Sequence, residues 1–276
     1  MTMNRREFIK SSALAGFFAA CGCPITGLGA ESGLSVAGMR IGVQMYSVSG
    51  LWKKDPAGAF RRLKAMGYDG VQSFGFYAMD WNELAKMLDG EGLRIVDMPF
   101  YMETVKGDTF NRFVEFCKRF EIGFAFEPFS NYKTAAEWRN HAQELVALGE
   151  RFAAQGIRVG YHNHQNEVRE KFDGKSPLDF LYEAGLPFEL DVGHVKLAGD
   201  DPVMWLKRLQ NRVPSIHAKP GGGDSVGGQG DANDWSAIFA AAAASGAKWA
   251  IVECEKHQDS YADVEASAMF LKKIIL

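Results

Sequence analysis

The sequence predicts a single (β/α)8 barrel, and three observations carry that prediction. Short apolar runs alternate with helix-like segments eight times from residue 40 onward, the pattern of a parallel sheet with crossover helices. No internal linker interrupts the alternation, and the stretch has the usual length of one such barrel, about 250 residues. Polar side chains fall at the ends of the last four apolar runs, where this fold carries its site.

The first strand reads as Arg40–Gln44, and the first helix as Pro56–Met66. Asp55 suits its N-cap, Pro56 its first position and Gly67 its close. Gly70–Phe74 is the second strand and Trp81–Leu88 the second helix. Leu93–Met98 is the third strand, followed by a helix over Thr109–Phe120. Gly123–Phe126 is the fourth strand, and Ala135–Ala154 a long helix with apolar Leu145, Val146 and Leu148. Strands five to eight read as Ile157–His162, Phe188–Asp191, Val213–His217 and Lys248–Glu253. Their helices read as Pro177–Ala184, Pro202–Leu209, Trp235–Ala244 and Tyr261–Leu276. No Gly-x-Gly-x-x-Gly follows the first strand, which argues against an open dinucleotide-binding sheet. The Gly-rich run 221–230 holds no Lys or Arg and reads as a mobile loop at the site rather than a phosphate cradle.

The first thirty residues read as an address. Arg5-Arg6 with Phe8 and Lys10 precedes the apolar run Ala13–Ala20, too short to span a bilayer but suited to a signal segment. The paired arginines resemble a twin-arginine export signal. Ala19-Ala20-Cys21-Gly22 resembles a lipoprotein processing box, with a possible lipid anchor at Cys21, and cleavage near Gly29 or Ala30 is the alternative. The expected division is a signal over 1–30 and one barrel over 31–276. The workplace is then the periplasm, or the outer side of the cytoplasmic or outer membrane. Loss of Arg5, Arg6, Lys10 and Glu7 takes the formal charge from −3 to −5, which disfavours a nucleic-acid partner. No run of about 20 apolar residues exists to span a membrane. Four Cys cannot staple a chain of 276 residues, and nothing in the sequence fixes the oligomeric state.

The last four strands end in His162, Asp191, His217 and Glu253, spaced 29, 26 and 36 residues apart, about one βα unit each. Side chains so spaced converge on one rim of a barrel. Two imidazoles and two carboxylates suit one first-row divalent cation, Mn, Zn or Co, without selecting among them. A lone His at a strand end is more often structural, and a lone Asp there often caps the next helix. Four in register on consecutive strands are harder to read that way.

Several motifs resemble the sugar phosphate isomerase/epimerase family, the xylose-isomerase-like barrels. Gly42–Ser47 is similar to the family's opening, Gly156–His164 to its fifth strand, Glu189–His194 to its sixth, Ile216–Lys219 to its seventh and Ile251–Glu253 to its eighth. The loop Val226–Gly230 with Asp234-Trp235 resembles the segment before its seventh helix. The resemblance implies a divalent metal held by Glu, Asp, His and Glu, and movement of a proton beside a carbonyl. Asp191, His217 and Glu253 take three of those places, and His162 stands where the first Glu is expected. A symmetric shuttle between two carboxylates is therefore put in question, and a one-base mechanism or an elimination or hydrolysis gains weight.

The expected chemistry has Glu253 as base, with His162 or Glu127 as partner across the substrate. Glu127, before Pro128, offers a second carboxylate or merely a salt bridge. Gln44, Tyr46, His194, Lys219 and Glu255 are candidate substrate contacts, and His164 a residue that orients a ligand. Trp52, Phe74, Phe76, Tyr77, Phe100 and Tyr101 are candidate stacking rings, with ordinary packing the stronger reading for most. The expected activity is isomerisation or epimerisation of a ketose or keto-glycoside. The alternatives are a keto-glycoside lyase or hydrolase on the same site, or a non-catalytic sugar-binding barrel. DNA-repair endonucleases share the barrel, but their metal set is richer in His than this one.

Overall fold

The computed structural model describes residues 35–257 and 260–274. The expected signal segment, including Arg5, Arg6 and Cys21, lies outside the described residues. Eight parallel strands form the barrel: β1 (Met39–Gln44), β2 (Gly70–Gln72), β3 (Arg94–Ile95 and Met98–Pro99), β4 (Phe124–Glu127), β5 (Arg158–His162), β6 (Phe188–Asp191), β7 (Ser215–Ala218) and β8 (Trp249–Val252). β8 pairs with both β7 and β1, so the sheet closes on that side. A short hairpin strand, Ser35–Val36, runs antiparallel to β1.

The third strand departs from the continuous run expected for Leu93–Met98. Its first half pairs with β2 and its second half with β4, so the barrel wall continues through one strand that breaks at Val96-Asp97. Asp97, at the break, is buried, and its Oδ1 accepts from Gln72 Nε2 at 2.7 Å.

Eight helices wrap the sheet: α1 (Pro56–Met66), α2 (Trp81–Glu91), α3 (Asp108–Arg119), α4 (Ala135–Ala153), α5 (Pro177–Glu183), α6 (Pro202–Leu209), α7 (Trp235–Ala244) and α8 (Tyr261–Ile274). Their starts follow the expected chemistry. Asp55 Oδ1 accepts from Gly58 N at 2.9 Å ahead of Pro56, and Gly67, at φ 101°, ends α1 in a left-handed turn that costs a glycine little. Three short helices were not legible in the sequence: Ser49–Lys54, Gln165–Arg169 and Val192–Leu197. Each fills a connection at the end of a barrel strand. Among the described residues no helix is long and apolar enough to cross a membrane.

The space between sheet and helices is packed with aromatics. Trp52, Phe60 and Phe76 contact one another edge-on or tilted, with ring centroids 4.8–5.8 Å apart. Phe100, Phe110 and Phe113 surround Phe152. Trp52, Phe76 and Phe100 are therefore core residues, while Tyr101 is exposed. The Gly-rich connection after β7 is pinned rather than loose. Asp231 accepts from Gly221 N, Gly227 N, Asn233 N and Trp235 Nε1 at 2.6–3.1 Å. That one carboxylate ties Gly221 and Gly227 of the run to the start of α7.

Candidate metal centre

Strand alternation sends every second side chain into the barrel. It carries His162, Asp191 and His217 inward at or near the ends of β5, β6 and β7, and Glu253 follows β8 by one residue. All four are buried. One donor atom from each lies within 4.8 Å of the donors of the other three. The expected convergence is met in full for these four side chains.

Asp191 sits at the centre of the group and serves two purposes. Its Oδ1 accepts from His194 N at 2.7 Å and caps the helix Val192–Leu197. Its Oδ2 is buried without a hydrogen-bond partner. That orphaned oxygen is 4.0 Å from His162 Nε2, 3.9 Å from His194 Nε2 and 3.8 Å from His217 Nδ1. His217 Nδ1 also lies 2.9 Å from Glu253 Oε2. A buried carboxylate oxygen facing three imidazole nitrogens that are too distant for hydrogen bonding fits the donor set of a divalent cation. The capping and metal-ligand readings of Asp191 are compatible, one on each oxygen.

The backbone under Asp191 is held by Asn163. Its Oδ1 accepts from Asp191 N at 3.0 Å and its Nδ2 donates to Asp191 O at 3.3 Å, joining the ends of β5 and β6. Ser47 Oγ accepts from Cys254 N at 2.9 Å, fixing the segment after Glu253 to the end of β1.

A polar layer lies directly beneath the four residues, and it was missed in the sequence. Glu189, two positions before Asp191 on the same face, is buried. Its Oε1 accepts from Ser215 Oγ at 3.0 Å and its Oε2 from Gln72 Nε2 at 2.8 Å. The same Oε2 lies 3.3 Å from His162 Nδ1 and 3.1 Å from His217 Nε2. Gln44, expected to touch substrate, is instead buried in this layer. Its Nε2 donates to Gln72 Oε1, and its own Oε1 accepts from Tyr46 N at 3.0 Å.

Charge is distributed so that Glu253 and Glu189 stay ionised. Burial would raise the Glu253 carboxyl, but Lys219 and His217 outweigh it and hold it well below the usual range. Burial likewise opposes ionisation of Glu189, and His217 and His162 overcome it. The His217 ring is pushed down by burial and pulled further up by Glu189 and Glu253, ending well above the ordinary imidazole value. Lys219, also buried, keeps its charge through Glu253, Asp191 and Glu255. Its Nζ is 3.5 Å from Glu253 and ion-paired with Glu255. His164 and His194 sit further out, with ring centroids 4.7 Å apart. Burial and neighbouring His162 and His194 push His164 down to about 3, and burial lowers His194. Both rings are therefore neutral, and neither His194 nitrogen has a hydrogen-bond partner.

Tyr46 stands exposed at the rim, edge-on to Phe74 at 5.2 Å. Glu127 is not brought to the cluster. The register pairs it with Tyr161, the outward neighbour of His162, and its Oε2 lies 2.9 Å from His141 Nε2 on α4. Its other oxygen accepts from Met102 N at 3.3 Å. The expected second carboxylate is a strut between barrel wall and helix.

Fold and site together define a (β/α)8 barrel that gathers a candidate metal centre at the ends of its last four strands. The chain belongs to the xylose isomerase-like TIM barrel family, whose model matches residues 60–274. A sugar phosphate isomerase/epimerase from Parabacteroides distasonis is similar over 90% of this chain and 98% of that one, at 24% identity and a TM-score of 0.72. The 3-keto-D-glucoside 4-epimerase of E. coli is similar over 85% of this chain and 99% of that one, at 16% identity and a TM-score of 0.63. At these identities the likeness is one of fold. An inosose dehydratase from Clostridium tetani is 29% identical over 87 residues, which is 31% of this chain and 29% of that protein.

Proposed function

We propose that this protein is a divalent-metal-dependent enzyme that abstracts a proton beside the carbonyl of a ketose or keto-glycoside. The observation that carries the proposal is the buried, unpartnered Asp191 Oδ2 facing imidazole nitrogens of His162 and His217 beside Glu253. His162, Asp191, His217 and Glu253 would hold Mn, Zn or Co. An ion there supplies Lewis-acid polarisation of the substrate carbonyl and stabilises negative charge as it develops.

Glu253, ionised through Lys219 and His217, takes the proton from the carbon. Lys219, which keeps its ammonium, offers a donor to a sugar oxygen. His194 has two unpartnered ring nitrogens with which to position a hydroxyl, and Tyr46 and Glu255 stand at the entrance. With Glu127 turned outward and His162 committed to the ion, a one-base mechanism on Glu253 is the reading favoured for the proton transfer. The likeness of the Arg5-Arg6 segment to an export signal favours a workplace outside the cytoplasm, and fractionation of cells with immunodetection of the chain tests that location.

The experiment is a screen of ketoses and keto-glycosides in deuterated water with Mn, Co or Zn, read by NMR. Metal-dependent deuterium incorporation at the carbon beside the carbonyl is expected. Glu253→Gln is expected to lower it by about 100-fold or more. Metal-independent sugar binding without exchange would identify a binding protein instead. A second reading is favoured by His162 in the place of a carboxylate: the same proton abstraction, followed by loss of a leaving group from the adjacent carbon. An unsaturated product in the same spectra selects it.

A further inference from the structure

Two imidazoles of the proposed metal centre share one buried carboxylate through the nitrogens that face away from the centre. His162 turns Nε2 toward Asp191 Oδ2, and its Nδ1 lies 3.3 Å from Glu189 Oε2. His217 does the reverse, with Nδ1 toward Asp191 and Glu253 and Nε2 at 3.1 Å from the same Glu189 oxygen. One oxygen thus faces Nδ1 of His162, a buried nitrogen that makes no hydrogen bond in the ion-free chain, and Nε2 of His217, which is hydrogen-bonded to Gln72 Oε1.

We infer that Glu189 is the positioning residue of this site, fixing opposite ring tautomers on His162 and His217 so that both lone pairs face one ion. The inference rests on the metal-centre reading above. An imidazole ligand uses its unprotonated nitrogen, and the hydrogen bond made by the other nitrogen decides which one that is. A carboxylate can only accept. Glu189 therefore draws the His162 proton to Nδ1 and one His217 proton to Nε2, so that His162 Nε2, and His217 Nδ1 once its proton toward Glu253 is displaced, are the nitrogens offered to the ion. Two separate acceptors would ordinarily be needed for this.

Glu189 is itself immobilised. Ser215 Oγ and Gln72 Nε2 donate to its two oxygens, and Gln72 Nε2 lies also on Asp97 Oδ1. Gln72 Oε1, 2.9 Å from His217 Nε2, is a second acceptor for His217 alone, so His162 depends on Glu189 more heavily than His217 does. Glu189 is buried beneath the two rings. It acts through the two rings.

The test uses the untagged chain with Zn2+ as the probe, comparing wild type, Glu189→Gln and Glu189→Ala. Zinc affinity is measured by chelator competition, and histidine tautomers by long-range 1H–15N NMR of the zinc-loaded protein. The expected wild-type spectrum has the proton on Nδ1 of His162 and on Nε2 of His217. Both variants should bind zinc about 10- to 100-fold more weakly, with the His162 resonances changed more than those of His217. Melting curves of the ion-free variants show whether they fold. If neither does, the wild-type tautomers decide, and a His162 proton on Nε2 overturns the inference. Wild-type zinc affinity in folded Glu189 variants overturns it too, while leaving the metal centre standing. A wild-type chain that binds no zinc overturns both.

Discussion

Glu127 Oε2 lies 2.9 Å from His141 Nε2, and both side chains are buried between the barrel wall and α4. This pairing turns Glu127 away from the proposed metal centre. Ser130 Oγ and Tyr132 OH complete the surroundings of the His141 ring at 3.1 and 3.2 Å. Glu127→Ala should destabilise the protein by about 1–3 kcal/mol, through loss of the buried contact with His141 and of the acceptor for Met102 N, and leave metal affinity unchanged. Thermal melting and a metal titration on the same sample check both. Loss of metal binding with a normal melting curve would return Glu127 to the site.

Metal binding should release protons. Glu189 and Glu253 hold the ion-free His217 ring protonated above its ordinary value, against burial. An ion at His217 Nδ1 must displace that proton, so proton and ion compete for one atom. Raising the pH removes the competitor, and affinity should rise by up to about tenfold per pH unit for each proton displaced. Calorimetry in buffers of different ionisation enthalpy measures the release directly. Affinity that is flat from about pH 6 to 8, where an ordinary imidazole titrates, would contradict this account of His217.

The wall beneath the site has no room at Gly160. A Cβ there would come within 2.5 Å of Pro187 O and 2.7 Å of the Phe126 ring. The first contact is with backbone of the strand approach to β6, which cannot swing aside. Gly160→Ala should cost about 1–3 kcal/mol by overpacking, lowering Tm by about 3–10 °C. Because β6 carries Asp191, zinc affinity should fall with it. A melting curve matching wild type would show that the wall can yield.

Much of this was legible in the sequence. The eight strands and their helices were readable because each repeats the same punctuation, an apolar run and then a capped helix such as Asp55-Pro56 to Gly67. His162, Asp191, His217 and Glu253 were readable because they close consecutive runs. Glu189 was not, because it lies inside its run rather than at the end. Its signal was the two-residue spacing to Asp191, which puts both on one face. Gln72 and Asp97 come from short or broken strands, where periodicity is weak and only the fold reveals the partner. Glu127 misled because a strand-end position says nothing of which face the side chain takes. The register with Tyr161 decides that.

The most direct test of the metal centre is titration of the ion-free chain with Mn, Co or Zn by calorimetry, alongside Asp191→Asn. Wild type should take up one ion per chain. Asp191→Asn, which keeps the Oδ1 cap on the helix Val192–Leu197 but offers an amide in place of the orphaned Oδ2, should lose affinity by about 100-fold, or about 2.7 kcal/mol, with its fold intact. No uptake by the wild-type chain, or equal uptake by the two, would contradict the account.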